Sequence, residues 1–214
     1  MIKAVVFDLD GTLLNTLEDL CNACNYALEK EGHLPTDLFD TRKNIGHGIR
    51  NYILKSSNMD EVHIDSMMEH FKEFYTVHCN DNTKPYDGIN NILYKLKKDG
   101  YKLGCISNKS SYALHIICAK QFPKIFDLVI GYGDGYKRKP DPEVIYEASK
   151  KLDVALDEFL YIGDSDVDVL TVKNSSCRGL FVSYGYRDRS VLEDMGATPI
   201  VDHPLDIYEL IKEM

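Results

Sequence analysis

The 214-residue chain lacks any apolar run approaching the roughly 20 residues needed to cross a bilayer, so no membrane-spanning helix is expected. It is also short of positive charge: 25 Lys and Arg stand against 34 Asp and Glu, a net −9. A nucleic-acid-binding or anionic-membrane surface needs a basic face, so neither partner is expected. A small anionic substrate stays admissible, because one metal ion and a few local cations reverse the field inside a cleft. The seven histidines are dispersed and show no metal-ligand spacing. The six cysteines (Cys21, Cys24, Cys79, Cys105, Cys118, Cys177) are scattered and imply no disulfide framework. No second Cys or His pair answers Cys21-x-x-Cys24, and with Leu17, Leu20, Ala27 and Leu28 these cysteines fall on one helical stripe. A secretory cleavage region is missing too, since Asp8 follows Lys3 within five residues, and a cytoplasmic location is expected.

What is present is ordinary for a globular protein of one substantial domain, or one domain with an insert: 44% hydrophobic and 28% charged residues. Ala4-Val5-Val6-Phe7 reads as a strand buried on both faces. From residue 15 to 82 no convincing strand follows. Helices are expected at Leu17–Glu31, Ile49–Lys55 and Asp60–Cys79, the last turning Val62, Met67, Phe71, Phe74 and Val77 to one side. After Pro85-Tyr86-Asp87-Gly88 the rhythm changes. Strands at 102–106, 128–131, 159–162, 179–182 and 199–201 alternate with helices at 89–99, 110–121, 142–152, 167–174 and 205–212. This alternation implies an α/β fold, a Rossmann-like parallel sheet with helices on both faces. A lone first strand has no partner in the helical segment, so it belongs with the second block. The expected organisation is a core of residues 1–14 and 84–214 interrupted by an all-helical insertion, 15–83, placed to act as a lid.

The first strand ends in Asp8-Leu9-Asp10-Gly11-Thr12, two carboxylates one residue apart at the edge where open α/β sheets bind ligands. Like charges that close raise one pKa unless a cation or proton intervenes, so the pair calls for a hard divalent metal, an oxygen-rich substrate, or both. Other strand ends carry Ser107-Asn108-Lys109 and Gly163-Asp164-Ser165-Asp166, with Asp168 one helical step on, and the loop after residue 131 carries Lys137 to Pro142. If the strands are parallel neighbours, these converge above Asp8 and Asp10. Asp8, Asp164 and the backbone carbonyl of Asp10 can then hold Mg²⁺, with Asp168 completing the acidic set. Asp8 can attack phosphorus and Asp10 can move the protons. Ser107, Asn108 and Lys139 would receive the phosphoryl group, together with an anion cradle of backbone N–H groups at Gly11 and Thr12. Taken singly, Ser107 can equally cap the next helix, Lys139 can be a solvated loop lysine, and Asp164 and Asp168 can be helix-start acids.

Asp8-Leu9-Asp10-Gly11-Thr12, Ser107-Asn108, Lys139-Pro140 and Gly163-Asp164-Ser165-x-x-Asp168 resemble, in order and spacing, the four motifs of the haloacid dehalogenase-like hydrolase superfamily. The resemblance spans nearly the whole chain. It implies a Rossmann-like core, Mg²⁺, an aspartyl-phosphate formed on Asp8, an acid/base role for Asp10, and a cap made of the helical insert. Gly46-His47-Gly48-Ile49-Arg50, Pro85-Tyr86-Asp87-Gly88 and Gly185-Tyr186-Arg187 further resemble the phosphoglycolate phosphatase branch. Asn15 and Ser175 depart from residues common in the family and carry none of this chemistry. The implied activity is a Mg²⁺-dependent phosphatase, monomer or dimer, acting on a small phosphorylated metabolite, phosphoglycolate-like or a sugar phosphate. The alternatives are a phosphomutase of the β-phosphoglucomutase type, a phosphonate-cleaving enzyme using Lys43 or Lys55, and a phospho-acceptor regulatory module. Arg50 is expected to contact a substrate carboxylate or hydroxyl when the lid closes.

Overall fold

The computed structural model describes residues 1–57 and 64–214. The chain forms two compact units, Met1–Leu14 with Pro85–Met214, and Asn15–Lys84. In the first, six strands make one sheet in the order β5-β4-β1-β6-β7-β8. They are β1 (Ala4–Phe7), β4 (Lys102–Ser110), β5 (Leu128–Tyr132), β6 (Phe159–Gly163), β7 (Arg178–Val182) and β8 (Ile200–Val201). Every neighbouring pair is parallel, with β1 in register against both β4 (Val5 opposite Leu103) and β6 (Val5 opposite Leu160). All four residues of β1 are buried, the signature of a central parallel strand covered on both faces.

The helices of this unit are α5 (Ile89–Lys98), α6 (Ser111–Gln121), α7 (Glu143–Leu152), α8 (Asp166–Ser175), α9 (Arg189–Asp194) and α10 (Pro204–Glu213). From β1 the chain moves one way to β4 and β5, then crosses back past β1 to β6. Right-handed crossovers therefore put α5 and α7 on opposite faces of the sheet. Val144, Ile145, Ala148 and Leu152 of α7 pack on Ala4, Val6, Ile106, Phe159 and Tyr161. Val5, Phe7, Leu103, Cys105, Leu160 and Ile162 alternate with these and are equally buried from the other side. Burial of this apolar set is the main stabilising term, at about 25 cal/mol per Å² removed from water.

The second unit is helical: α1 (Leu17–Lys30), α2 (Leu38–Asn44), α3 (Ile49–Ser57) and α4 (Ile64–His78). Cys21 and Cys24 lie on the buried side of α1 with Leu20, Ala27 and Leu28, and all six cysteines are buried and none is in a disulfide. The helix expected from Asp60 is described from Ile64; Asp60 and Val62 lie outside the described residues. Val77, expected on the apolar side of that helix, is 71% exposed, while Tyr75 takes the buried position. Two short strands, β2 (Leu14–Asn15) and β3 (Lys84–Pro85), pair with each other where the chain passes between units. They flank the stretch from 15 to 82 in which no convincing strand is expected, and two-residue strands carry too little pattern to be read. Among the described residues no helix is long and apolar enough to cross a membrane.

Candidate active site

Because β1, β4 and β6 are adjacent and parallel, their carboxyl ends deliver side chains to one place. The Asp8 amide donates to the Ile162 carbonyl of β6 at 2.8 Å, which pins the aspartate to the strand end. The carbonyl of Leu9 then accepts from the amides of Leu13 and Leu14, both at 3.0 Å, and the chain doubles back. Gly11 makes this turn at φ +85°, a conformation that costs a side-chain-bearing residue dearly. A Cβ on Gly11 would also lie 2.3 Å from Asp164 Oδ2.

Three buried carboxylates, Asp8, Asp164 and Asp168, bring oxygens within 4.8 Å of one another. Lys139 lies among them, its side chain 2% exposed. Its Nζ donates to Asp168 Oδ1 at 2.7 Å and Tyr161 Oη at 2.6 Å, and stands 3.1 Å from Asp8 Oδ2. Lys139 is therefore no solvated loop lysine. Burial opposes its charge, but the carboxylates of Asp168 and Asp8 outweigh that and raise its pKa.

The three acids differ in what holds them. Asp168 is saturated: Oδ1 accepts from Lys139 and from Tyr161 Oη at 2.9 Å. Its Oδ2 accepts from the amides of Asp164 (3.2 Å) and Ser165 (3.0 Å) and from Ser165 Oγ (2.6 Å). Ser165 accepts in turn from the Asp168 amide, closing a capping box that starts α8. Burial would raise the Asp168 pKa, but Lys139, Ser165 and Tyr161 bring it below the ordinary value. Asp8 and Asp164 are the strained pair. Burial first, with repulsion from Asp168 and Asp10, pushes Asp8 up to about 6 against the pull of Lys139. Burial and the charges of Asp168 and Asp8 push Asp164 up to about 8. A site that raises two carboxylates in this way stabilises a cation, and an all-oxygen donor set suits a hard divalent ion such as Mg²⁺.

The strand-end residues take more specific parts than their types foretold. Asn108 clamps the backbone of Lys139, donating to its carbonyl at 3.0 Å and accepting from its amide at 2.9 Å. These two bonds fix the backbone from which the lysine side chain extends. Thr12 spends its hydroxyl on Asp164 Oδ1 at 2.7 Å, and the amides of Gly11 and Thr12 donate to the carbonyls of Leu14 (2.9 Å) and Leu9 (3.3 Å). Both amides are thus engaged within the turn. Ser107 does not cap α6, whose N-cap position is Ser110; its Oγ accepts the Lys109 amide at 3.3 Å, which leaves its own O–H to donate elsewhere. Asp10 stands outside the three-carboxylate group and pairs with Lys109, at 2.8 and 3.2 Å to its two oxygens. Arg50, in the helical unit, donates to Asp65 at 2.7 Å.

Tyr161 went unread in the sequence, and Lys109, Gly185 and Tyr186, named there only within motifs, were given no part in the site. The Tyr186 amide donates to Asp164 Oδ2 at 2.7 Å. A Cβ on Gly185 would meet Asp164 Cβ at 2.4 Å, and one on Gly163 would meet Asp168 Cγ at 2.3 Å. Gly-Tyr at 185–186 and the buried hydroxyl of Tyr161 in an apolar strand were the available signals.

A parallel sheet whose carboxyl edge gathers buried acids around one lysine defines the site of an α/β phosphoryl-transfer-type hydrolase. Residues 5–182 match the haloacid dehalogenase-like hydrolases, and the chain belongs to that family. A Chromobacterium violaceum protein named phosphoglycolate phosphatase is 32% identical over 99% of this chain and 97% of its own length. A Bacillus cereus pyrophosphatase, PpaX, is 27% identical over 100% of this chain and 98% of its own. A solved structure from Lactobacillus delbrueckii subsp. bulgaricus, provisionally assigned as a phosphoglycolate phosphatase, superposes with a TM-score of 0.92. It is 32% identical over 98% of each chain.

Proposed function

We propose that this hydrolase is a Mg²⁺-dependent phosphatase of small phosphorylated metabolites that works through an aspartyl-phosphate on Asp8. The observation that carries the reading is the grip of Lys139 on Asp8 and Asp168 beside the strained Asp8–Asp164 pair. Asp8 and Asp164, with the Asp10 carbonyl, would hold the ion. When bound, Mg²⁺ neutralises the phosphate and the acids facing it and orients the phosphoryl group. Asp168 would act one step removed, since every lone pair it offers is already engaged by Lys139, Tyr161, Ser165 and the Asp164 amide.

Asp8 attacks phosphorus through a carboxylate oxygen as the ester oxygen departs, and Asp10 gives that oxygen a proton. Asp10 then takes a proton from the water that attacks the acyl phosphate, which frees inorganic phosphate and restores Asp8. Lys139 and Ser107 donate to the phosphoryl oxygens. The helical unit serves as the lid, and Arg50 exchanges Asp65 for a substrate anion during turnover. The names of the relatives, a phosphoglycolate phosphatase and a pyrophosphatase, favour a compact substrate such as phosphoglycolate, with sugar phosphates next.

The test is phosphate release from 2-phosphoglycolate, pyrophosphate and hexose monophosphates with Mg²⁺ and with EDTA. Many turnovers with Mg²⁺ on at least one substrate, and none with EDTA, is the expected result. No release from any of them would overturn the reading, and isomerised hexose phosphate without free phosphate would replace it with a mutase.

A further inference from the structure

Lys109 sits at the polar end of β4, two residues beyond Ser107, and its side chain is 2% exposed. Burying a lysine costs several kcal/mol unless a counter-charge meets it. Here that counter-charge includes Asp10, a residue 99 positions away, with both carboxylate oxygens within hydrogen-bond distance at 2.8 and 3.2 Å. The lysine is carried out to this point by an extension of β4. The strand runs on past the end of the apolar stretch at Ile106, through a register shift against β5 between Ile106 and Ser110. Asp10 itself is one-fifth exposed, the most open of the four acids at this edge, and stays outside the group formed by Asp8, Asp164 and Asp168. A carboxylate two residues from Asp8 has an obvious alternative, to turn in and join that group. A buried ammonium across both of its oxygens holds it elsewhere.

We infer that Lys109 is a positioning residue for the phosphatase reaction: it fixes the Asp10 carboxylate in the orientation from which it exchanges protons with leaving group and water. The inference rests on the phosphatase reading above and adds a residue to it. Lys109 acts through Asp10 and not on the phosphoryl group, which Lys139 and Ser107 serve. Misplacing a proton-transfer group by about 1 Å is enough to cost on the order of 100-fold in rate.

The experiment compares wild type, K109M, K109R, D10N and the double variant D10N/K109M with Mg²⁺ and p-nitrophenyl phosphate, each checked for folding by thermal melting. K109M is expected to lose ten-fold or more in kcat with KM within three-fold of wild type. K109R, which keeps a bidentate cation, is expected to recover part of the loss. The double variant is expected to match D10N. Full kcat in K109M, or a double variant slowed by the product of the two single losses, would overturn the inference. So would a loss confined to KM, which would place Lys109 on the substrate. Should K109M melt before assay, K109Q carries the decision: a kcat lowered toward that of D10N, from a folded protein with wild-type KM, supports the orientation role, and full kcat overturns it. A wild type that releases no phosphate from any ester fails the phosphatase reading, a result separable from all of these.

Discussion

At the scale of single residues, Asp164 is under the greatest electrostatic load. It is 1% exposed, faces Asp8 and Asp168, and accepts in return from the Thr12 hydroxyl and the Tyr186 amide. Its folded-state pKa, about 8, lies above the ordinary 3.8. Between those values the metal-free native state binds more protons than the unfolded chain, so metal-free stability falls as pH rises from about 4 to about 8. Asp164→Asn removes that charge while keeping an oxygen for Tyr186. In EDTA it is expected to raise stability at pH 8 by on the order of a few kcal/mol, and by much less at pH 5. Melting curves at the two pH values read the difference; equal shifts would place the load on another group. The same variant should no longer be stabilised by added Mg²⁺. Gly185→Ala works on the same acid by crowding: its new methyl would stand 2.4 Å from Asp164 Cβ, and a loss of about 3 kcal/mol in a denaturant titration is expected.

At the scale of elements, Asp19 shows what joins the ends of the helical unit. Buried at 2%, it sits in the first turn of α1 and accepts from the amides of Asn82 and Thr83, from the Asn82 side chain and from the Thr83 hydroxyl, at 2.7 to 3.1 Å. Asp19→Ala leaves those donors unmatched, and a loss of about 2–4 kcal/mol is expected, measured by urea unfolding. The long elements were legible because burial writes itself into periodicity. β1 is uniformly apolar, and α5 and α7 place Ile89, Ile92, Leu93, Leu96 and Val144, Ile145, Ala148, Leu152 at helical spacing. α2 and α9 were not. The first buries only Thr41 while exposing Leu38 and Phe39, and it starts where Asp37 accepts the Asp40 amide. The second buries only Leu192. Elements held by a cap and a single contact leave no stripe to read.

The same distinction holds inside the site. Strand ends announced Asp8, Ser107 and Asp164, since chemistry at a carboxyl edge requires polar residues there. The parts taken by Asn108 and Thr12 were hidden, because an amide that clamps backbone and one that meets phosphate look alike in sequence. Lys109 was hidden for a related reason. Its partner is a distant residue, and only the parallel pairing of β1 with β4 brings the two together.

At the scale of the whole molecule, the chain is built as two units. The core carries the acids and Lys139, and Arg50 belongs to the helical unit, where it and Asp65 are 43% and 85% exposed. An exposed pair of this kind contributes about 0–1 kcal/mol, so Arg50 is free energetically to change partners. Arg50→Ala is expected to leave stability within about 1 kcal/mol while raising KM for 2-phosphoglycolate more than for p-nitrophenyl phosphate. Equal effects on both substrates would remove Arg50 from recognition.

The central claim is that phosphorus passes through Asp8. A single-turnover reaction with ³²P-labelled substrate, acid-quenched and digested, tests it directly. Label is expected on the peptide bearing Asp8 in wild type and none in the Asp8→Asn protein, which should bind substrate without turning it over. Phosphate released at full rate with no label on that peptide, or steady turnover by Asp8→Asn, would contradict it.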